Sequence, residues 1–202
     1  MQRDFYKKLL AWKNSQDRKP LLIKGARQVG KTYLIHQFGK QEYENMVYLD
    51  FDQDPGLKDF FLKNLKPDRI LLDLALYFET KIVAGKTLIV FDEIQESPHA
   101  LNSLKYFKEN AKDHHVIAAG SLLGVALSKT KGFPVGKVTF ADLYPLSFFE
   151  FLTILGKNQL RKYLESKDDA GSIAEPIHEE LINLLKRYYI VGGMPEAIKK
   201  YL

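Results

Sequence analysis

The sequence predicts an α/β fold, a parallel β-sheet sandwiched by helices and followed by a small helical segment. Three observations carry that reading. Short apolar runs alternate with helical runs through about residue 142. A glycine-bounded loop, Gly25 to Thr32, joins an apolar run to a helical one. Past Pro145 the pattern is helical alone. Short apolar strands alternating with helices imply a parallel sheet buried on both faces.

The elements follow in order. Phe5, Leu9, Leu10 and Trp12 mark a short amphipathic helix. Leu21–Lys24 reads as a buried strand after Pro20, and a helix runs on from Lys31. Met46–Asp50 reads as a second strand, and residues 57–65 as a helical stretch. From Asp68, the residues Leu71, Leu74, Ala75, Phe78 and Ile82 fall on one helical face. Thr87–Phe91 is the clearest strand. Ser97 and Pro98 form the N-cap and first position of the next helix. His115–Ala119 and Val138–Phe140 are the remaining strands. Ser147 and Glu150 form a capping box, with Leu146 and Phe151 as its hydrophobic staple. The polar stretch 166–175 reads as an exposed loop, and Pro195–Leu202 as a helix without a stop signal, as expected of a fragment. The expected division is a core over residues 1–144 and a helical lid or second-domain segment over 145–202.

Composition narrows the class. With 202 residues the chain can bury a core without staples. It has no cysteine, which removes a disulfide framework, a thiolate zinc site and a cysteine nucleophile. A cytoplasmic location fits that usage and the charged start Met1-Gln2-Arg3-Asp4, behind which no signal peptide follows. No apolar stretch approaches the ~20 residues of a membrane span. The net charge of +5 permits nucleic-acid contact without arguing for it. Lys105, Lys108 and Lys112 read as an ordinary solvated helix face.

Gly25-Ala26-Arg27-Gln28-Val29-Gly30-Lys31-Thr32 matches G-x-x-x-x-G-K-[ST]. The glycines let the backbone curl so that N–H groups point at phosphate oxygens, and the following helix aims its positive end at the same place. Lys31 is placed to reach the β- and γ-phosphates, and Thr32 to ligate Mg²⁺. By chance, such a match occurs in about one chain in a hundred of this length. The expected core is therefore that of a P-loop nucleotide-binding protein. Val29 and Tyr33 read as packing residues, although Tyr33 adjoins the nucleotide-contacting set.

The strand Leu88–Phe91 ends in Asp92 and Glu93. In a parallel sheet the strand C-termini gather on the ligand side. Asp92 is then placed to hold Mg²⁺ through its water shell, and Glu93 to polarise the attacking water. Asp50 and Asp52 end another strand on that side, where a solvated loop explains them as well. Ser121 follows the strand His115–Ala119, either contacting water or the γ-phosphate or acting as a turn residue. Gln95 lies near the acidic pair. No arginine lies between Ser121 and Tyr144, where a finger is expected. Lys129, Lys131 and Lys137 are there instead, and Lys137 reads either as a phosphate contact or as a surface lysine.

The other candidates favour structure over chemistry. His114 and His115 point to opposite faces of a strand and make a poor metal site. Gly192-Gly193-Met194-Pro195-Glu196 reads as a hinge or cap. Phe148, Phe149 and Phe151 read as core, and Trp12 and Arg3 as packing, with a nucleobase neighbour as the alternative.

GARQVGKT, LIVFDEIQ, AAGS-LLG, PVGKVTFADLYPLSFFEFL and GGMPEA occur in this order. Together they resemble bacterial and archaeal AAA-type P-loop ATPases of the additional-strand, catalytic-glutamate division. More narrowly, they resemble a group that joins an N-terminal AAA domain to a C-terminal domain of unknown function. The resemblance implies ATP at Gly25–Thr32, Mg²⁺ served by Asp92, Glu93 as the catalytic carboxylate and Ser121 at the polar sensor position. It also implies five parallel strands, with the phosphate-loop strand between the sensor strand and the last, and a lid-like or winged-helix-type segment after Pro145. Three functions are in view: a Mg²⁺-dependent ATPase coupled to conformational change, a nucleotide switch with negligible turnover, and a small-molecule kinase. A homo-oligomer or a protein client is compatible with each.

Overall fold

The computed structural model describes residues 3–121, 136–167 and 173–202. Lys129 and Lys131, and residues 168–172 of the expected loop 166–175, lie outside the described residues. The elements are α1 (Phe5–Lys13), β1 (Leu21–Lys24), α2 (Lys31–Glu42), β2 (Asn45–Asp50), α3 (Pro67–Tyr77), β3 (Thr87–Asp92) and α4 (Pro98–Asn110). They continue with β4 (His115–Gly120), β5 (Thr139–Asp142), α5 (Phe148–Ile154), α6 (Asn158–Glu165), α7 (Glu175–Val191) and α8 (Pro195–Tyr201). Short 3₁₀ turns cover Pro55–Phe61 and Ile94–Glu96.

The strand order is β2-β3-β4-β1-β5, every pair parallel. The phosphate-loop strand β1 thus lies between β4 and β5, as expected. Period-two alternation divides the sheet's side chains between two cores. Leu88 and Val90 face α1 and α2, beside Phe5, Leu34 and Phe38. Ile89 and Phe91 face α3 and α4, beside Leu74, Leu104 and Phe107. Burial on both faces is why β3 and β4 read as continuous apolar runs.

Three boundaries differ from the sequence reading. Residues 57–65 fold as a 3₁₀ turn that ends at Phe61. Helix α3 stops at Tyr77, and Glu79 turns left-handed at φ 48°. The polar run Glu79-Thr80-Lys81 offers the core nothing, yet Phe78 and Ile82 still pack against it. Strand β5 starts one residue late, at Thr139, although Val138 is buried. Lys108 is paired with Asp17 rather than freely solvated.

The helices after Pro145 carry a third cluster, built on Leu146, Phe151 and Ile198. The capping box is present: Glu150 N–H donates to Ser147 Oγ at 3.2 Å, and Ser147 N–H donates to Glu150 Oε2 at 2.8 Å. Phe151 is core and Phe148 packs beside it, but Phe149 is exposed, contrary to expectation, because it sits on the outer face of the seven-residue α5. Arg3 joins this segment to the sheet. Its Nε donates to Glu150 Oε1 at 2.9 Å, with both side chains 6% exposed. Its other nitrogens donate to the carbonyls of Val29 at 3.0 Å and Tyr144 at 2.6 Å. Trp12 is a packing residue, edge-on to His115.

Two stability predictions follow from these contacts. Glu150→Ala leaves Arg3 buried without its partner and removes the cap, so denaturant unfolding should report a loss of about 3–5 kcal/mol. His115 is 5% exposed, with Nδ1 2.7 Å from the Tyr43 hydroxyl. Burial pulls its pKa down to about 4, and Arg18, Lys13 and His114 push the same way. Between about pH 6.5 and 4 the unfolded chain therefore binds more protons than the folded one, and stability falls as pH falls. From pH 7 to pH 5 urea unfolding should lose about 2 kcal/mol from this group, and His115→Gln should remove that component.

Candidate functional site

The parallel sheet brings three strand ends to one edge. The loop Gly25–Gly30 leaves β1, Asp92 and Glu93 end β3, and Ser121 follows β4. Local backbone geometry shapes each of them. Gly30 caps α2 at φ 93°, a left-handed conformation that favours glycine. Gln28 adopts φ 63° and Glu93 φ 46°, both strained for side-chain-bearing residues, as is common at functional sites. Gly25 is required by close approach, since a Cβ there would lie 2.4 Å from the Leu143 carbonyl oxygen.

Lys31 is buried, and its Nζ donates to the carbonyls of Gly25 and Ala26, each at 2.9 Å. Burial lowers its pKa from the ordinary lysine range, Glu93 and Asp92 raise it, and Arg27 lowers it further. Thr32 Oγ1 donates to Asp92 Oδ2 at 3.0 Å, which joins the phosphate loop to the acidic strand end. Asp92 Oδ1 accepts from the Glu93 N–H at 2.9 Å. Glu93 Oε2 accepts from Gln95 Nε2 at 2.6 Å and from Ser121 Oγ at 3.4 Å. The expected residues therefore form one constellation around a cleft of about 360 Å³.

Other candidates separate here. Asp50 caps its own turn, accepting the N–H groups of Asp52 and Gln53 at 3.0 Å each, while Asp52 lines the cleft. Lys137 pairs with Glu109 at 3.1 Å, before the start of β5 and so at the sheet edge opposite the phosphate loop. It is the surface lysine of the two readings. Val29 is packed as expected, but Tyr33 is 59% exposed. Leu34, Ile35 and Phe38 occupy the buried face of α2, and helical rotation leaves Tyr33 outside it. His114 and His115 belong to no metal cluster, and none of three or more acidic or histidine groups occurs among the described residues. Nor is any helix among them long and apolar enough to cross a membrane.

Two contributors escaped the sequence reading. The Tyr48 hydroxyl donates to Asp92 Oδ2, and burial and that carboxylate raise the phenol's pKa. Its signal lies in the register: Tyr48 pairs with Val90, and Asp92 is two residues on, on the same face. The second is the segment after α7. Gly192 caps that helix, as a cap reading expects, but Pro195 and Lys199 also line an 840 Å³ cleft shared with Gln28, Gly30 and Tyr33. Arg3 lines it too, but its guanidinium is committed to Glu150, Val29 and Tyr144, as the packing reading expects.

The Thr32 hydroxyl and the Asp92 carboxylate form the hard-oxygen pair that suits Mg²⁺ when phosphate oxygens supply the remaining ligands.

Residues 17–152 match the model of a family described as an AAA domain. No curated protein matches significantly. Among solved structures, the chain is similar to Drosophila ORC bound to DNA, with a TM-score of 0.55 and 18% identity over 96% of this chain and 58% of that one. It is also similar to AMPPCP-bound DnaA from Aquifex aeolicus, with a TM-score of 0.49 and 15% identity over 98% of this chain and 57% of that one. The likeness to ORC is one of fold. This chain spans less than three fifths of either protein's length.

Gly25→Ala should distort the phosphate loop, because the added Cβ meets the backbone oxygen of Leu143, which anchors next to β1 through its own N–H. Thermal and denaturant unfolding should report a loss of about 2 kcal/mol.

Proposed function

We propose a function for a chain that belongs to the AAA domain family: it binds ATP with Mg²⁺, hydrolyses it, and couples hydrolysis to a conformational change. The observation that supports this reading best is the Thr32–Asp92 hydrogen bond, which joins the G-x-x-x-x-G-K-[ST] loop to the acidic end of β3. The backbone N–H groups of Gly25, Ala26, Arg27, Gln28, Val29 and Gly30 cradle the phosphates at the positive end of α2. Lys31 exchanges its two carbonyl partners for phosphate oxygens. The base and ribose occupy the neighbouring 840 Å³ cleft, with Tyr33 on its wall.

Thr32 and Asp92 hold Mg²⁺, which when bound neutralises phosphate charge. Glu93 Oε1, the oxygen free of Gln95 and Ser121, orients the attacking water and takes its proton. Ser121 keeps Glu93 in place and stands beside the water. The same reading divides the chain into a core over residues 1–144 and a helical subdomain over 145–202, which the separate cluster of Leu146, Phe151 and Ile198 supports. Arg3 bonds to both Val29 and Glu150, so it links the loop to that subdomain.

One observation favours the second reading, a switch with negligible turnover. The Gln95 bond engages the Glu93 carboxylate, and a carboxylate so held is a slower base.

Fluorescent nucleotide binding and phosphate release test the two readings together. Lys31→Ala should lose binding. Glu93→Gln should bind ATP like the wild type and release phosphate roughly 10²–10⁴-fold more slowly. Unchanged turnover in Glu93→Gln would remove Glu93 from the mechanism, and absence of wild-type turnover would favour the switch.

A further inference from the structure

Hydrolysis of a phosphoanhydride spreads negative charge over the γ-phosphoryl oxygens in the transition state, and a second cation beside the phosphate-loop lysine stabilises it. The stretch after Ser121 holds no arginine to supply that cation, and Lys137 is committed to Glu109 at the far edge of the sheet. We propose that Arg27, inside the phosphate loop itself, is the catalytic cation and acts on the nucleotide bound by its own chain. This rests on the ATP reading of the same site and names a catalytic residue for it.

Two observations support the assignment. Arg27 and Lys31 are the two cationic side chains lining the 360 Å³ phosphate cleft, which they share with Thr32, Glu93 and Gln95. Arg27 is exposed and forms no hydrogen bond or ion pair among the described residues, although Asp52, Glu93 and Glu96 line the same cleft. By contrast, Arg3, Arg18, Arg69 and Arg161 are each held by carbonyls or carboxylates, and exposed Arg187 lies on α7. A polyanion in that cleft lies against both Arg27 and Lys31, so the loop holds two cations that gain from one ligand.

The position in the loop supports the role. The carbonyls of Gly25 and Ala26 accept from Lys31 Nζ, so the residue that follows them begins beside the lysine's own target. A guanidinium there presents a planar fork of donors to phosphate oxygens. In the step, the water oxygen forms a bond to the γ-phosphorus while the bond from that phosphorus to the β–γ bridging oxygen breaks. The bridging oxygen keeps the electron pair and leaves with ADP. The water proton passes to Glu93 and then to phosphate. Arg27 neither gains nor loses a proton, and its N–H groups donate to the γ- and bridging oxygens as their charge grows.

Steady-state hydrolysis and ADP binding with aluminium fluoride, a mimic of the transferring phosphoryl group, test the proposal. In Arg27→Ala, kcat should fall about 10³-fold. ADP affinity should hold, and the slowing of ADP dissociation by aluminium fluoride and Mg²⁺ should vanish. Arg27→Lys should recover only part of both effects. Wild-type kcat and a wild-type fluoride response in Arg27→Ala would overturn the assignment. So would recovered turnover on mixing Arg27→Ala with Glu93→Gln, since Arg27 would then act on a neighbour's nucleotide. A wild-type chain that binds no nucleotide defeats the ATP reading itself. One that binds ADP without any fluoride response defeats the Arg27 role alone.

Discussion

The buried pair of Arg3 and Glu150 ties the N-terminal segment to both the phosphate loop and the helices after Pro145. One guanidinium satisfies the carboxylate that caps α5, the Val29 carbonyl in the phosphate loop and the Tyr144 carbonyl after β5. Glu150 in turn accepts the Asp4 N–H, and Arg161 of α6 grips the Asp4 carboxylate at 2.8 and 2.9 Å. Burying two charges is favourable only when their remaining donors and acceptors are satisfied, and here they are. The arrangement specifies one placement of the helical segment against the loop. A shift of α5 removes the partner of Arg3 and reaches the loop through the Val29 carbonyl.

The sheet supplies the second constraint. Parallel order with β4 between β3 and β1 sets the acidic strand end one strand away from the phosphate loop. That gap is bridged from both sides of Asp92, by Thr32 on α2 and by Tyr48 on β2. His36, one turn beyond Thr32, stacks on the Tyr48 ring at 4.4 Å. Helix α2 therefore contacts Asp92 directly through Thr32 and again through the tyrosine.

Legibility in the sequence follows the range of the forces involved. The strands β1, β3 and β4 were readable because burial on both faces leaves an unbroken apolar run. Strand β5, an edge with Thr139 and Phe140 exposed, carried a weaker pattern, and its start was displaced by one residue. The phosphate loop and Asp92 were readable because their chemistry is local to a few residues. Arg3 was not, because its partner lies 147 positions away and no local pattern reports it. Tyr48 needed the register of β2 against β3, which sequence periodicity constrains but does not set. The segment Gly192–Glu196 was half legible: its glycine cap is a local signal, while its place on the 840 Å³ cleft depends on how the helices fold back.

The adjacent carboxylates Asp92 and Glu93 illustrate how one backbone turn separates two environments. Asp92 is the last residue of β3 and keeps the strand's alternation, so it faces α2 and Tyr48. Three donors fix its two oxygens, and it is fully buried. Had Glu93 continued the strand, it would face the opposite core, where α3 and α4 leave no place for a charge. Its left-handed turn at φ 46° and ψ 46° carries it out of the sheet to the cleft wall instead. There it is half-buried, and among the described residues one oxygen has no hydrogen bond. A fixed carboxylate suits a cation, and a carboxylate with a free oxygen suits a water. The strain at Glu93 is thus what makes two neighbouring acids chemically different.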